Sequence, residues 1–414
     1  MLRLSTSQAF DSGLERLQQR QRELTDAQVR LTSGKRVSKA SDDPAAAARA
    51  ERAMAAMSRH DASQRALDAS RSVLTLTESA LGEAGDLMQQ VRETLIAAGN
   101  GSYSDGERVA LADKLKALRG QLMLAANRSD GAGAFLFGGQ GSAAPPFIDG
   151  PGGVVFRGTS GENQVAIDEA LPQSTDGSRE WLAVTSGNGL FETRTVSATP
   201  NQAGAWIDAG RISDPTAFFA ATSPPTVADP ANLDYRVTFA GAPGAVTFSV
   251  EKDGVPTALT NVAFVSGQAI EIDGMSFAVT GAPTAADQFE LRLSSRSQSV
   301  FATLDRTMAE LRTPLRSRSA ISQGVQRALV EVDGSMGALQ GLRSRVGETL
   351  NRADLIEGRI AEQKVTAQAE RSQAEDLDMV EAISLFQNRQ SGYQAALQAY
   401  ASVQKLSLFQ YLNT

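Results

Sequence analysis

The sequence has no cysteine and a single histidine, His60, and both scarcities exclude kinds of chemistry. Without cysteine there is no disulfide framework, no thiolate metal site and no cysteine nucleophile. One histidine cannot build a histidine metal cluster, and His60 lies in a segment typical of a helix surface or bundle contact. We therefore expect no metal and no cofactor.

Motifs for catalysis are also missing. A Ser-His-Asp triad would have to use His60, and the chain has no G-x-S-x-G elbow. The stretch "SGKR" at 33–36 is not a phosphate loop, because Val29 stands where a glycine is required and Arg36 replaces Ser or Thr. The sequence predicts no catalytic residues and therefore a protein that is not an enzyme.

Long apolar runs and excess positive charge are absent as well. No run of 18 apolar residues predicts membrane insertion, and the first 20 residues lack the apolar core of a cleaved signal peptide. The net charge of −7 argues against a nucleic-acid partner, which usually meets a basic domain. Composition leaves two locations open, the cytoplasm and export by a route without a cleaved signal.

What the chain does have is a division into three zones. Residues 1–130 and 297–414 show helical periodicity, whereas 131–296 are rich in Gly, Pro, Thr and Val. This predicts a mainly α fold, a long helical rod or coiled-coil bundle built from both termini, with a β-rich insertion between the helical arms. We expect three parts: 1–40 with 375–414 as terminal coiled-coil assembly helices, 41–195 with 297–374 as the helical rod with β-hairpins, and 196–296 as a β-rich outer domain.

Both chain ends carry an apolar seam with the alternating 4-3 spacing of a coiled coil, interrupted by glutamine. The seam residues are Leu14, Leu17, Leu24 and Leu31 on the first helix and Ile383, Phe386, Tyr393, Leu397 and Tyr400 on the last. A lone helix of this kind is marginal in water, since ordering costs ~1–2 kcal/mol per residue. We expect the two arms to order when neighbouring copies pack around them; the alternative is that both seams pack on a domain core.

A charged loop separates the first arm from the next helix. Gly34 suits the position that ends a helix, Asp43 suits the cap of the next one, and Pro44 suits its first turn. Asp42 and Asp43 also favour the positive end of that helix dipole. The loop is therefore a stop and restart, and the weak pattern at 372–378 predicts a matching break before the last helix.

Between these breaks the sequence predicts further helices and strands. Helices are expected from about 44 to Asn100-Gly101, around Leu111–Leu122, over 299–312 before Pro314, and over 320–371. Alternating residues predict strands near 235–240, 246–252 and 288–293, and Asp273-Gly274 predicts a hairpin turn. We interpret 200–233 as loop-like and the strands of 150–195 as hairpins packed on the rod.

Three stretches carry a resemblance to a known family. "LTSGKRVSKASDDPAAAARAE", "AANRSDGAGAFLFGG" and "EDLDMVEAISLFQNRQSGYQAALQAYASVQKLSLFQYLN" resemble the helical ends of the bacterial flagellin superfamily. Lys35 and "DDPAAAARAE" favour the branch of hook–filament junction proteins over flagellin itself.

The resemblance implies a structural protein that joins the flagellar hook zone to the filament by self-assembly of subunits in a ring. It implies export as an unfolded chain without a cleaved signal peptide, and an extracellular place in the bacterial flagellum. The partners it implies are copies of itself, other hook-associated protein and flagellin subunits, the type III export apparatus and an export chaperone.

Two alternatives remain open at this point. The chain could be a filament subunit of the same superfamily. It could also be a structural stem that carries a carbohydrate-binding β module, in which Trp181 and Trp206 would form a sugar platform.

Overall fold

The computed structural model describes residues 6–142, 144–161, 164–165, 171–172, 174–197, 199–222, 234–242 and 244–412. The helices are α1 (Thr6–Ser33), α2 (Pro44–Ala98), α3 (Asp105–Ala126), α4 (Ser178–Leu182), α5 (Pro215–Thr222), α6 (Val300–Arg312), α7 (Arg318–Glu375) and α8 (Met379–Leu412). The strands are β1 (Phe147–Gly150), β2 (Gly153–Phe156), β3 (Gln164–Val165), β4 (Leu171–Pro172), β5 (Val184–Thr185), β6 (Phe191–Thr195), β7 (Ala205–Ile207), β8 (Arg211–Ile212), β9 (Asp234–Ala240), β10 (Thr247–Lys252), β11 (Val255–Pro256), β12 (Val262–Ala263), β13 (Ala269–Ile272), β14 (Met275–Gly281), β15 (Gln288–Leu293) and β16 (Arg296–Gln298).

The predicted fold class is confirmed, with long helices at both ends of the chain and a β-rich middle. Helix α2 ends at Ala98, next to the expected stop at Asn100-Gly101. Helix α3 begins behind a capping box, in which the Ser104 hydroxyl and the Glu107 carboxylate each bond the other residue's backbone N–H. Helix α6 ends at Arg312, before Pro314, as the sequence predicted.

The chain divides into two compact units. The terminal unit comprises residues up to Arg65 and from Leu355 onward, and the central unit comprises Ala66–Asp354. Long helices α2 and α7 contribute residues to both units because their bounds cross these limits. The predicted division into three parts stays a prediction.

The helical core of the central unit follows heptad rows visible in the sequence. On α2 this row is buried along its whole length: Leu67, Leu74, Leu81, Met88 and Leu95. Residues of α3, α6 and α7 pack against it, among them Leu115, Leu304 and Val346. Hydrophobic burial of one face of each helix therefore holds this bundle together.

A second hydrophobic core lies between two antiparallel sheets of the central unit. The larger sheet has the order β11-β10-β9-β15-β6, with β12 also paired to β10, and the smaller has β13-β14-β7, with β8 also paired to β14. The turn between β13 and β14 is Asp273-Gly274, both with positive φ, and it sets Ile272 opposite Met275. The remaining pairs are β1-β2, β3-β4 and β5-β16.

Two sequence interpretations were wrong. Strand β6 does not form a hairpin on the helices; it pairs with β15, with Thr195 opposite Phe289, and Phe191 joins the core between the sheets. The segment 200–222 is not simply a loop, since it contains β7, β8 and α5, whose Phe218 is buried. Residues 223–233, interpreted as loop-like, lie outside the described residues.

Candidate assembly surface

The two ends of the chain pair as antiparallel helices. A β-carbon placed on Gly13 of α1 would lie 3.5 Å from Cδ2 of Tyr400 in α8. Ten residues further along α1, Arg389 Nη1 donates to the Glu23 carbonyl oxygen over 2.8 Å. As residue numbers increase along α1, the numbers of the contacting residues in α8 decrease, so the two helices run antiparallel.

The seam of α1 consists of two heptad rows with different exposure. Leu17, Leu24 and Leu31, spaced by sevens, are all half-buried. The second row begins at Leu14, which is 44% exposed, and continues through the exposed residues Gln21 and Gln28. Because α1 packs on α8, we call the first row the closed row and the second the open row of α1.

Helix α8 repeats this arrangement. Its closed row is half-buried and consists of Phe386, Tyr393 and Tyr400. Its open row consists of Ile383, Gln390 and Leu397, of which Ile383 and Leu397 are 43% and 40% exposed. The structure thus brings together one predicted row from each helix and leaves the other predicted row of each helix at the surface.

Several residues of this surface were missed by the sequence analysis. Ala27 is buried in α1 outside both rows, and an alanine in the sequence is a weak indicator of a buried position. Val29, Val380 and Leu385 are exposed apolar residues that lie outside both rows. Since each departs from the heptad spacing, no periodic pattern could have identified them.

The two chain breaks contact each other and form a joint. We define the terminal joint as residues 34–37, after α1, and 374–377, which are the last two residues of α7 and the two that follow them. The Arg36 N–H donates to the Glu375 carbonyl over 2.7 Å, and the Leu377 N–H donates to the Gly34 carbonyl over 3.0 Å. The side chains add an ion pair between Lys35 and Glu375 at 2.9 Å. Sequence reasoning found both breaks but not their contact.

The loop from Gly34 to Pro44 ends one helix and starts the next. Gly34 follows α1 with φ of +67°, and Pro44 is the first residue of α2. Asp43 Oδ1 accepts the N–H groups of Ala45 and Ala46, and Asp42 Oδ2 accepts those of Ser38 and Lys39. Both aspartates therefore order the backbone at this restart.

These hydrogen bonds favour the ionised carboxylates. The pKa of Asp42 is lowered chiefly by the Lys39 N–H, and that of Asp43 chiefly by the Ala46 N–H and then by Arg36. The pKa of Glu375 is lowered chiefly by its hydrogen bond from Lys35. The ionised carboxylates therefore stabilise the terminal joint and the loop from Gly34 to Pro44 at neutral pH.

Two other kinds of site come into question in the described part of the chain, a sugar platform at Trp181 and a metal site. Trp181 is fully buried against Phe137, Phe147 and Phe301, so it offers no face to a sugar. Among the described residues, no three His, Asp or Glu side chains are grouped to hold a metal ion. In the same part of the chain, no helix is long and apolar enough to cross a bilayer.

The fold has long helices from both chain ends, a β-rich insertion and a terminal helix pair whose open rows expose Leu14, Ile383 and Leu397. This combination defines a class of helical structural proteins. Comparison with known families makes this specific. Residues 4–142 match the bacterial flagellin N-terminal helical region, and residues 329–412 match the flagellin C-terminal helical region. Together the two matches cover more than half of the chain, which therefore belongs to the bacterial flagellin family.

Individual relatives agree with this assignment. Flagellar hook-associated protein 3 of Salmonella typhimurium is 31% identical over 49% of this chain, a match that spans 61% of that relative. Flagellar hook-associated protein 3 of Escherichia coli is 22% identical over 99% of both chains. The crystal structure of the flagellar junction protein FlgL from Legionella pneumophila is 27% identical, with a TM-score of 0.63 over 70% of this chain and 94% of its own.

Proposed function

We propose that this protein is a structural subunit that joins the flagellar hook zone to the filament by assembling with copies of itself in a ring. The observation that carries the proposal is the pair of open rows on α1 and α8. Relatives named as hook-associated and junction proteins support the particular place in the flagellum.

The open rows have the chemistry of a subunit contact. Leu14, Ile383 and Leu397 are large apolar side chains that remain exposed after α1 and α8 have paired. Burying such a side chain fully contributes ~1.5–3 kcal/mol relative to leaving it in water. Glutamine at the other positions of these rows weakens the contact but restricts the register and number of partners. Neighbouring copies of the same chain are therefore the natural partners of these rows.

Further partners and the route to the cell surface are part of the same proposal. A junction subunit contacts other hook-associated protein on one side and flagellin on the other. It leaves the cell through the type III export apparatus, with a chaperone that holds the terminal arms until export and without a cleaved signal peptide. The absence of cysteine suits transit as an unfolded chain.

The test is complementation of a cell that lacks this protein. The full chain should restore filaments attached to hooks, whereas a chain without residues 376–414 should leave hooks bare and release flagellin into the medium. The truncated chain should keep the urea unfolding of the central unit, measured by tryptophan fluorescence, because both tryptophans lie within Ala66–Asp354.

Immunogold labelling of intact flagella distinguishes the alternatives. A single band where the hook meets the filament supports a junction subunit. Label along the whole filament would instead make the chain a flagellin, and attached filaments without the protein would overturn the proposal.

A further inference from the structure

The tripeptide Gly-Asn-Gly occurs twice in the central unit, at residues 99–101 and at residues 187–189. Asparagine before glycine is prone to lose its side-chain amide, because glycine has no β-carbon to keep its backbone nitrogen away from the asparagine side chain. Asn100 and Asn188 are both exposed. Neither the adjacent sequence nor exposure to water therefore distinguishes the two sites.

The side chain of Asn188 is held at both of its polar atoms. Its Oδ1 accepts the N–H groups of Leu190 and Phe191 over 3.0 and 2.9 Å. Its Nδ2 donates to the carbonyl oxygens of Ala209 and Gly210, each over 3.3 Å. Rotation of this side chain toward the following backbone nitrogen would break all four hydrogen bonds.

The side chain of Asn100 is held at one polar atom. Its Oδ1 accepts the Ser102 N–H over 3.0 Å, which closes a local turn with the residue two positions later. Its Nδ2 makes no hydrogen bond to any residue that the structure describes. Only one hydrogen bond therefore opposes rotation of the Asn100 side chain.

The backbone nitrogen that would attack differs between the two sites as well. The Gly189 N–H donates to the Ser186 carbonyl oxygen over 3.3 Å, so this nitrogen is engaged. The Gly101 N–H has no hydrogen-bond acceptor within the described part of the chain. The nitrogen after Asn100 is thus the more available nucleophile.

We infer that Asn100 is a site of spontaneous deamidation and that the hydrogen bonds around Asn188 protect that residue from the same reaction. The Gly101 backbone nitrogen loses its proton and forms a bond to Cγ of Asn100. The Cγ–Nδ2 bond breaks, and ammonia leaves with the proton, so that a succinimide ring remains. Water then opens the ring at either carbonyl and gives aspartate or isoaspartate at position 100. Neither step is a redox reaction, and water is the only co-reactant.

The modification adds a negative charge at the corner between α2 and α3. This corner lies against the first residue of α7, because a β-carbon on Gly101 would be 3.1 Å from Nε of Arg318. The new carboxylate forms one residue away from this contact, and isoaspartate also lengthens the backbone there by one methylene group. The reaction is independent of the proposed function, since no second subunit takes part in it.

Peptide mapping of the aged full-length chain measures both sites in one sample. The chain is kept for weeks at neutral pH and physiological temperature and is then digested with trypsin at mildly acidic pH, which limits deamidation during digestion. Trypsin releases residues 93–108 and residues 180–194 as separate peptides, and each contains one asparagine and no glutamine. Conversion of the amide to a carboxyl group raises the mass of one peptide and thereby identifies the residue that reacted.

In the native chain, Asn100 should deamidate severalfold faster than Asn188. In guanidinium chloride, which unfolds the chain, the two rates should become similar because both asparagines have the same neighbours. Equal rates in the native chain would overturn the inference, since the hydrogen bonds would then give no protection. The same ratio of rates in the unfolded chain would overturn it too, since the difference would then come from the sequence.

Two glycine variants test the attacking nitrogen within the same peptide. Gly101→Ala places a methyl group beside this nitrogen and should slow the reaction of Asn100 severalfold, while the rate at Asn188 stays the same. Gly106→Ala is the matched control, because the nearest atom to its β-carbon would be the Ser104 hydroxyl oxygen at 4.0 Å, and it should leave both rates unchanged. An unchanged rate at Asn100 in Gly101→Ala would show that this nitrogen does not attack.

Discussion

The Nζ atom of Lys35 lies 2.9 Å from Oε2 of Glu375, so the loop after α1 is joined to the last residue of α7 by an ion pair. Lys35 is 40% exposed and Glu375 is 12% exposed at the side chain. An ion pair this open to solvent contributes little alone. It acts together with the backbone bonds between Arg36 and Glu375 and between Leu377 and Gly34. The ion pair and the backbone hydrogen bonds therefore connect the same two segments, residues 34–37 and 374–377.

Acid should loosen the terminal joint and the loop from Gly34 to Pro44. Asp42, Asp43 and Glu375 have pKa values lowered from 3.8, 3.8 and 4.5 by their hydrogen bonds. Their stabilisation is present above those ordinary values and is lost as pH falls through the lowered pKa values, below about pH 4. Hydrogen exchange of the Arg36, Ala46 and Leu377 amides, corrected for the intrinsic rate, should accelerate there.

The matched control for this acid response is Glu375→Gln. It keeps the shape of the side chain but removes the charge, so the amides of Arg36 and Leu377 should lose part of their pH dependence while Ala46 keeps it. Constant protection of all three amides down to about pH 3 would show that the carboxylates do not stabilise the loop.

Gly34→Ala should destabilise the end of α1. Gly34 has φ of +67°, and no atom lies within 4 Å of where its β-carbon would be. The cost therefore comes from the left-handed backbone alone, about 1–2 kcal/mol for a residue with a β-carbon. Gly358→Ala, in the interior of α7, should instead stabilise by about 0.5–1 kcal/mol. Urea unfolding followed by circular dichroism measures both, and equal effects would contradict the assigned role of Gly34.

Much of the helical architecture could be predicted because its signals are local. The buried row from Leu67 to Leu95 repeats every seven residues, and Asp273-Gly274 between apolar alternations is a strong turn signal. Gly34, Asp43 and Pro44 mark helix ends by their own backbone preferences. Each of these predictions needed only residues that are close in sequence.

The wrong or missing interpretations involve partners that are distant in sequence. The partner of β6, strand β15, lies beyond eight other paired strands of the described chain, so a five-residue segment carried no sign of it. Arg36 bonds the carbonyl of Ala374, 338 residues later. Contacts of this kind depend on the folded topology, and no local propensity encodes them.

A usable signal for the open rows was nevertheless present. Gln21 and Gln28 both lie on the open row of α1, and Gln390 lies on the open row of α8. Polar residues are tolerated where a row remains at the surface of the single chain. The position of the glutamines within the seam therefore distinguishes the exposed row from the packed row.

Trp181→Ala should strongly destabilise the helical core of the central unit. The indole is fully buried, with ring centroids 5.9 Å from those of both Phe137 and Phe301. Its removal leaves a large cavity and should cost about 3–5 kcal/mol. Trp206→Ala is the control, since Trp206 is half-buried and lies on β7 in the sheet region. Urea unfolding of the two variants should show a much larger loss for Trp181→Ala.

Substitutions in the two rows of α8 should separate assembly from pairing. Leu397→Asp changes an exposed open-row residue, so it should block incorporation into the flagellum with little effect on the helix pair in the free chain. Phe386→Asp places a charge on the half-buried closed row and should weaken both incorporation and pairing. Incorporation is measured by immunogold labelling. Pairing is measured by a bis-maleimide cross-link between Gln18→Cys and Gln394→Cys, exposed positions at the same height on α1 and α8 in a chain without cysteine of its own. Loss of that cross-link in Leu397→Asp would mean that the open row is part of the intramolecular contact. Normal flagella in cells with Leu397→Asp would mean that this row contacts no other subunit.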